Sequence, residues 1–192
     1  MSQASMLYST MHRGHFPPAV LYGTDEDVNQ GDVRGWDYHR RAGGEITPGL
    51  LWTLTDHPGT VLSCPGYEGP VRDEDGPYTG YNYNAAFVAA EGRRGWGLPG
   101  GSWDFIIEKD NLEGRTALTL ADCRRPARVA LFGLGAFRDG ANKFMRSPVN
   151  ASPQDLSLAY AGAQGFHYAG QTQFVCIDGH VETAKNAYRG SL

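Results

Sequence analysis

Phe166-His167-Tyr168-Ala169-Gly170-Gln171-Thr172-Gln173-Phe174-Val175-Cys176-Ile177-Asp178-Gly179-His180-Val181 is the stretch whose reading decides the fold. Gln173 to Ile177 is a short run of β-branched, aromatic and small apolar residues, as a strand requires. Asp178-Gly179 is a pair that tolerates the positive φ angles of a tight two-residue turn, and His180 to Ala184 returns as the partner strand. Phe174 and Cys176 face one way along that strand and Val175 and Ile177 the other. Both faces are therefore apolar, which predicts a strand covered on both sides and lying inside its sheet.

Working outward, the composition fits one folded domain with loops. With 192 residues, 41% apolar and 20% charged, the chain is long enough for a proper core and too apolar for disorder. Gly 26 and Pro 11 are scattered along it, which favours turns and short strands over a helical bundle. A net charge of −4 leaves no basic face for nucleic acid, so nucleic acid is excluded as a partner. No run of about 20 apolar residues occurs, so the sequence given holds no membrane-spanning helix. Cys64, Cys123 and Cys176 are far apart and form no CxxC pair, which argues against a zinc site built from cysteine alone. One disulfide with a thiol left over and three buried thiols both remain open; for Cys176, in an apolar strand, the core reading is favoured.

Ser2 to His12 reads as a helix, with Ala4, Leu7, Tyr8 and Met11 on one apolar face and Gly14 and Pro17-Pro18 ending it. Ala19 to Gly44 reads as a polar loop. Thr47 as N-cap and Pro48 at the first helical position predict a helix through Leu50, Leu51, Trp52 and Leu54, stopping near His57-Pro58-Gly59. Strands are expected at Thr60 to Ser63, Tyr81 to Val88, Trp103 to Glu108, Ala117 to Leu120 and Arg128 to Phe132, with a short helix at Pro153 to Tyr160. The predicted class is α+β: an N-terminal helix packed on an antiparallel sheet with long loops, within a single domain covering residues 1–192.

Several of these residues, in this order, carry a resemblance. His15-Phe16-Pro17-Pro18, Cys64-Pro65, Tyr81-Asn82-Tyr83-Asn84, the Arg125-Pro126 step before an apolar strand, and His167 to Val181 span most of the chain. Together they resemble prepilin-type proteins with a C-terminal His-x-Asp-Gly domain, of the planctomycete and verrucomicrobial type, relatives of the type II secretion pseudopilins. The family sets its motif His one residue closer to the Asp of Asp-Gly, so a bulge or longer turn is expected to absorb the extra residue here. It also begins with a strongly apolar stem helix, so residues 1–13 are expected to be a stem remnant and residues 14–192 the head.

The resemblance implies a pilin-like fold and a non-catalytic assembly subunit of a pseudopilus or pilin-like surface fibre. The expected partners are other subunits and the secretion machinery. The expected location is periplasmic or at the cell surface, with contact to the inner membrane only through a stem helix, and the isolated head is expected to be monomeric. It also makes calcium the metal to consider, with Asp139 and Asp178 as candidate ligands among the loop acids.

On their own chemistry, His167, Asp178 and His180 invite a metal or acid–base reading. Turn chemistry explains the same residues more simply: Asp178 bonds the local backbone and Gly179 supplies the turn, while His167 reaches across to pin the hairpin. No G-x-S-x-G elbow, phosphate loop or dinucleotide fingerprint is present, so no catalytic residue is assigned. The alternative, from a different class, is an extracytoplasmic glycan-binding module using the aromatic loops of residues 78–103 (Tyr78, Tyr81, Tyr83, Trp96 and Trp103). Against it, the alternation from Tyr81 to Val88 favours core and cross-strand roles.

Overall fold

A computed structural model of the chain describes residues 1–22, 32–55, 63–68, 80–85, 88–89, 91–93, 118–136, 143–145, 163–166 and 168–185. Within them the class is α+β. Helix α1 spans Ser2–Met11. The strands are β1 (Val20–Tyr22), β2 (Val33–Gly35), β3 (Tyr38–Arg40), β4 (Ile46–Pro48), β5 (Tyr81–Asn84), β6 (Glu91–Arg93), β7 (Ala130–Ala136), β8 (Phe144–Met145), β9 (Ala163–Gln164), β10 (Thr172–Cys176) and β11 (Val181–Ala184). They form two sheets, ordered β4-β3-β2-β1-β6 and β11-β10-β7-β5-β8, with β9 on the end of β7. Most neighbours are antiparallel, but β1 with β6 and β5 with β8 run parallel, so the sheets are mixed rather than purely antiparallel. None of the described helices is long and apolar enough to cross a membrane.

Helix α1 starts where expected and ends one residue earlier, with His12 as its C-cap. Its end is closed by the Gly14 N–H, which bonds Ser9 O at 2.7 Å with Gly14 at φ +85°, as a left-handed glycine after a helix does. Its buried face matches the one expected only in part: Ala4 is buried and Tyr8 packs partly buried against the core. Ala4, Ser5 and Ser9 lie against the core, while Leu7 and Met11 are exposed. Small side chains let the helix backbone approach an aromatic core closely; a face led by Leu7 and Met11 would hold it off.

The described residues of the expected loop, 19–22 and 32–44, supply three strands, β1 to β3. β2 and β3 pair Val33 with Arg40 and Arg34 with His39, joined through Trp36-Asp37. Asp37 is a turn former by type, but Trp36 is not; it is 1% exposed and belongs to the core.

The helix expected from Pro48 onward is replaced by strand β4 and a single 3₁₀ turn at Trp52–Leu54. Tertiary hydrogen bonds take the donors that a helix would need. The N–H groups of Gly49, Leu50 and Leu51 reach Asp37 O, Gly35 O and Trp36 O at 3.0, 3.1 and 3.1 Å. Pro48 is tolerated because β4 is the edge of its sheet. Gly49 is required there: a Cβ would sit on the Tyr38 amide nitrogen and 2.6 Å from Gly35 O.

The remaining expectations fare unevenly. β5 is four residues long, ending at Asn84. Around Ala117 to Leu120 only Thr119 makes an isolated bridge, to His15, before a 3₁₀ turn at Leu120–Asp122. That turn is closed by a capping box in which the Asp122 carboxylate accepts from Thr119 N and Oγ1. The strand expected at Arg128 begins later, at Ala130. Trp103 to Glu108 and Pro153 to Tyr160 lie outside the described residues, as does most of Thr60 to Ser63.

One core unites the two sheets. Trp36, Leu51 and Trp52 from the first pack with Tyr83, Leu131, Phe132 and Ile177 from the second. Tyr83 stacks on Phe132 at 4.7 Å between ring centroids and meets Trp36 edge-on at 5.9 Å. Its hydroxyl donates to Pro17 O at 2.8 Å. Beside this cluster the buried Lys143 ammonium donates to the Asp37 carboxylate at 2.5 Å and lies over the Tyr38 ring at 4.2 Å. Burial pushes the Asp37 carboxyl up, and the Lys143 charge works against that rise.

Removing the lysine would strand a buried carboxylate. We expect Lys143→Met to destabilise the fold by about 3–5 kcal/mol at pH 8, measured by urea unfolding. The loss should shrink at pH 5, because protonating Asp37 removes the stranded charge. An equal loss at both values would contradict a charged pair.

Candidate functional site

The only described group of three or more His, Cys, Asp and Glu side chains with metal-ligand proximity lies in the C-terminal hairpin. β10 and β11 pair Phe174 with Glu182 and Val175 with Val181. β10 has neighbours on both sides, β11 and β7, so the expectation that this strand lies inside its sheet holds. The register against β7 shifts between Val175 and Cys176, which pair with Phe132 and Ala130, so the irregular residue is Leu131 on β7.

The turn differs from the two-residue form expected. Gly179 N–H bonds Cys176 O and Cys176 N–H bonds His180 O, both at 2.9 Å, which leaves Ile177, Asp178 and Gly179 as a three-residue loop. Only Gly179 of the three has positive φ, at +92°. This is the pattern of a type I turn followed by a left-handed glycine. The reason is Ile177: it is fully buried in the common core, and its N–H bonds Val129 O at 3.0 Å. The core thus holds the turn by its first residue. Just upstream, a second tight turn at Ala169-Gly170, with φ +49° and +72°, joins Tyr168 to Gln171.

Asp178 and His180 are brought together. The Asp178 carboxylate accepts from His180 N–H at 3.2 Å and meets His180 Nδ1 at 2.6 Å. The other ring nitrogen, Nε2, meets Glu182 Oε1 at 2.9 Å. The imidazole therefore lies between two carboxylates, both half-exposed. Hydrogen bonds to Glu182 first and Asp178 second push the His180 pKa above its ordinary value. Partial desolvation acts to raise the Asp178 carboxyl, but its hydrogen bonds from the His180 ring and backbone hold it below its usual range. The turn role expected of Asp178 and Gly179 is therefore present, with a charged partnership added to it.

Cys176 completes the group. It is a free, fully buried thiol whose sulfur lies within 4.8 Å of ligand atoms on both His180 and Glu182. Its core placement matches the reading from the strand. Desolvation first, then the Glu182 and Asp178 charges, push its pKa up to about 11, so in the metal-free protein it is a thiol. Sequence reasoning missed Glu182 and discounted Cys176. The available signal was the C-x-D-G-H-x-E spacing: with a tight turn between 176 and 180, it sets alternate residues on one face of a hairpin.

His167 and Asp139 lie outside the described residues, as do Tyr78, Trp96 and Trp103 of the aromatic loops. Of that aromatic set, Tyr83 is core and unavailable to a sugar, as the alternation had favoured, and Tyr81 packs partly buried against the same cluster. Cys64 is buried and Cys123 partly so, and both are free thiols. Comparison of the chain with family models, with curated proteins and with solved structures returns no match in any of the three.

The hairpin electrostatics have a pH signature. His180 has a raised folded pKa, so its contribution to stability is complete below its unfolded value near 6.5 and is lost as pH rises through the folded value. Asp178 has a lowered folded pKa, so its contribution is present above its unfolded value near 3.8 and is lost as pH falls through the folded value. The two overlap between pH 3.8 and 6.5. In metal-free protein, NMR titration should place His180 above 6.5, and Glu182→Gln should bring it down. Titration of His180 below 6.5 would contradict the two-carboxylate geometry.

Proposed function

We propose that the chain is a non-catalytic assembly subunit, the head of a pseudopilin or pilin-like protein that packs into a surface or periplasmic fibre. The observation that carries this reading is the two-sided character of α1. One face, Ala4, Ser5 and Ser9, is anchored on the core, while the other presents Leu7 and Met11 to solvent at 47% and 63% exposure. Leu118 and Leu120 are exposed as well, on the segment whose backbone bonds to Phe16 and Gly14 just beyond the helix. Leu7 and Met11 on α1, with Leu118 and Leu120 on the segment bonded just beyond it, are the exposed apolar side chains that a neighbouring subunit would bury in this reading.

Such a patch meeting a different surface of the next copy is a heterologous contact, and repetition of that contact builds an open helix rather than a closed ring. The α+β head with an apolar hairpin near its C-terminal end is compatible with the ordered motifs that resemble the pseudopilin family. Calcium at Asp178 would compete with His180 for the same carboxylate, so calcium is no part of the reading.

The test is made in cells that express the protein. A photo-crosslinking residue at Leu7 should yield a ladder of adducts between subunits, and Met11→Lys should remove the ladder. Stability of the purified head should change by no more than about 0.5 kcal/mol, since the position is exposed. A ladder that survives Met11→Lys, or crosslinking that yields no adducts, would overturn the assembly role of this face.

A further inference from the structure

We infer that the C-terminal hairpin holds a divalent transition-metal site of the zinc class, ligated by Cys176 Sγ, His180 Nε2 and Glu182 carboxylate, with Asp178 orienting the histidine. The inference does not depend on the assembly reading. It starts from three elements of one hairpin. Cys176 is the last residue of β10, and its N–H bonds His180 O across the mouth of the loop. Glu182 lies two residues beyond His180 on β11, and so on the same face of the strand. The ligand atoms of all three lie within 4.8 Å of one another.

Four-coordinate zinc, with bonds of about 2.0–2.3 Å, sets its ligand atoms roughly 3.3–3.8 Å apart. His180 Nε2 and Glu182 Oε1, at 2.9 Å, need only part by a few tenths of an ångström, while Cys176 Sγ, within 4.8 Å of ligand atoms on both, closes by up to roughly 1–1.5 Å through side-chain rotation. Asp178 gives the arrangement its direction. Its Oδ1 holds His180 Nδ1 at 2.6 Å, which keeps a proton on Nδ1 and aims Nε2 at Glu182. A carboxylate behind the far nitrogen of a metal-binding histidine is the usual means of fixing its tautomer and orientation.

The donor set selects the ion. Thiolate, imidazole and one carboxylate suit zinc or cobalt, whereas calcium takes six to eight oxygens. Access is one-sided. The fully buried thiol clusters with Ala130 and Phe174, against which Met145 and Ala184 pack, while His180 and Glu182 are 37% and 47% exposed, so the ion enters from the solvent side. Three protein ligands leave a fourth position for water. Binding forms metal–sulfur, metal–nitrogen and metal–oxygen bonds and releases one proton from Cys176 Sγ and one from His180 Nε2; nothing is oxidised or reduced.

The experiment titrates the reduced, chelator-treated full chain, free of any affinity tag, with Co²⁺. The expected result is a thiolate-to-cobalt charge-transfer band that saturates at one equivalent and is bleached by Zn²⁺. Cys176→Ser should lose that band. Glu182→Ala, at an exposed position that folding does not need, should weaken Co²⁺ binding by about tenfold or more, and Asp178→Asn by about 10–100-fold with the band retained. No charge-transfer band in the unsubstituted protein, an undiminished band in Cys176→Ser, or unchanged affinity in Glu182→Ala would each overturn the site.

Discussion

The buried pair between Asp37 and Lys143 is the constraint on which the two-sheet arrangement rests. Asp37 belongs to the turn between β2 and β3, and Lys143 immediately precedes β8 in the other sheet. Neither charge tolerates burial alone, so the sheets meet in the one register that brings them together. The same turn carries Trp36 into the shared aromatic cluster, and its carbonyls receive the N–H groups of Gly49 and Leu51. Charge pairing, ring packing and backbone hydrogen bonding thus converge on two consecutive residues. The hydrophobic term supplies most of the stabilisation, and the ion pair supplies specificity of placement.

The C-terminal hairpin inherits its geometry from that core. Ile177 is a turn residue and also a core residue, so the loop that presents Asp178 and His180 is anchored at its first position. This turns a surface hairpin into a rigid support for a polar cluster, which a free loop could not provide. At the opposite end of the sequence α1 is held by buried Ala4, Ser5 and Ser9 with Met6 and Tyr8 packed beside them, which leaves Leu7 and Met11 for contacts outside the molecule.

The sequence made some of this legible and hid the rest for physical reasons. The helix at residues 2–11 and the hairpin near the C-terminus were readable because each depends on local signals: a left-handed glycine after the helix, an Asp-Gly turn between apolar runs. The face of α1 was read correctly at Ala4 and Tyr8 and wrongly at Leu7 and Met11, because periodicity ranks side chains by hydrophobicity, whereas the core took the small Ser5 and Ser9. Strands β1 to β3 are three residues each, too short for a period to show, and the β2–β3 turn at Trp36-Asp37 carries a turn former only at Asp37, beside a buried tryptophan that turn preference does not mark. The helix expected after Thr47 failed because long-range carbonyls captured its donors, and no local pattern encodes that. In the site, Asp178, Gly179 and His180 were visible as a motif. Cys176 and Glu182 joined them only once the loop was known to have three residues, since that length sets which side chains share a face.

Native-state hydrogen exchange tests most directly whether the two sheets are one cooperative unit locked at Asp37–Lys143. If the pair locks the sheets together, the amides of Trp36 and Leu51 beside the first sheet, and of Ile177 beside the second, exchange only through global unfolding, with the same opening free energy and the same denaturant dependence. Exchange of Trp36 and Leu51 at a distinctly lower free energy than Ile177 would show that the first sheet opens alone, and would contradict the account.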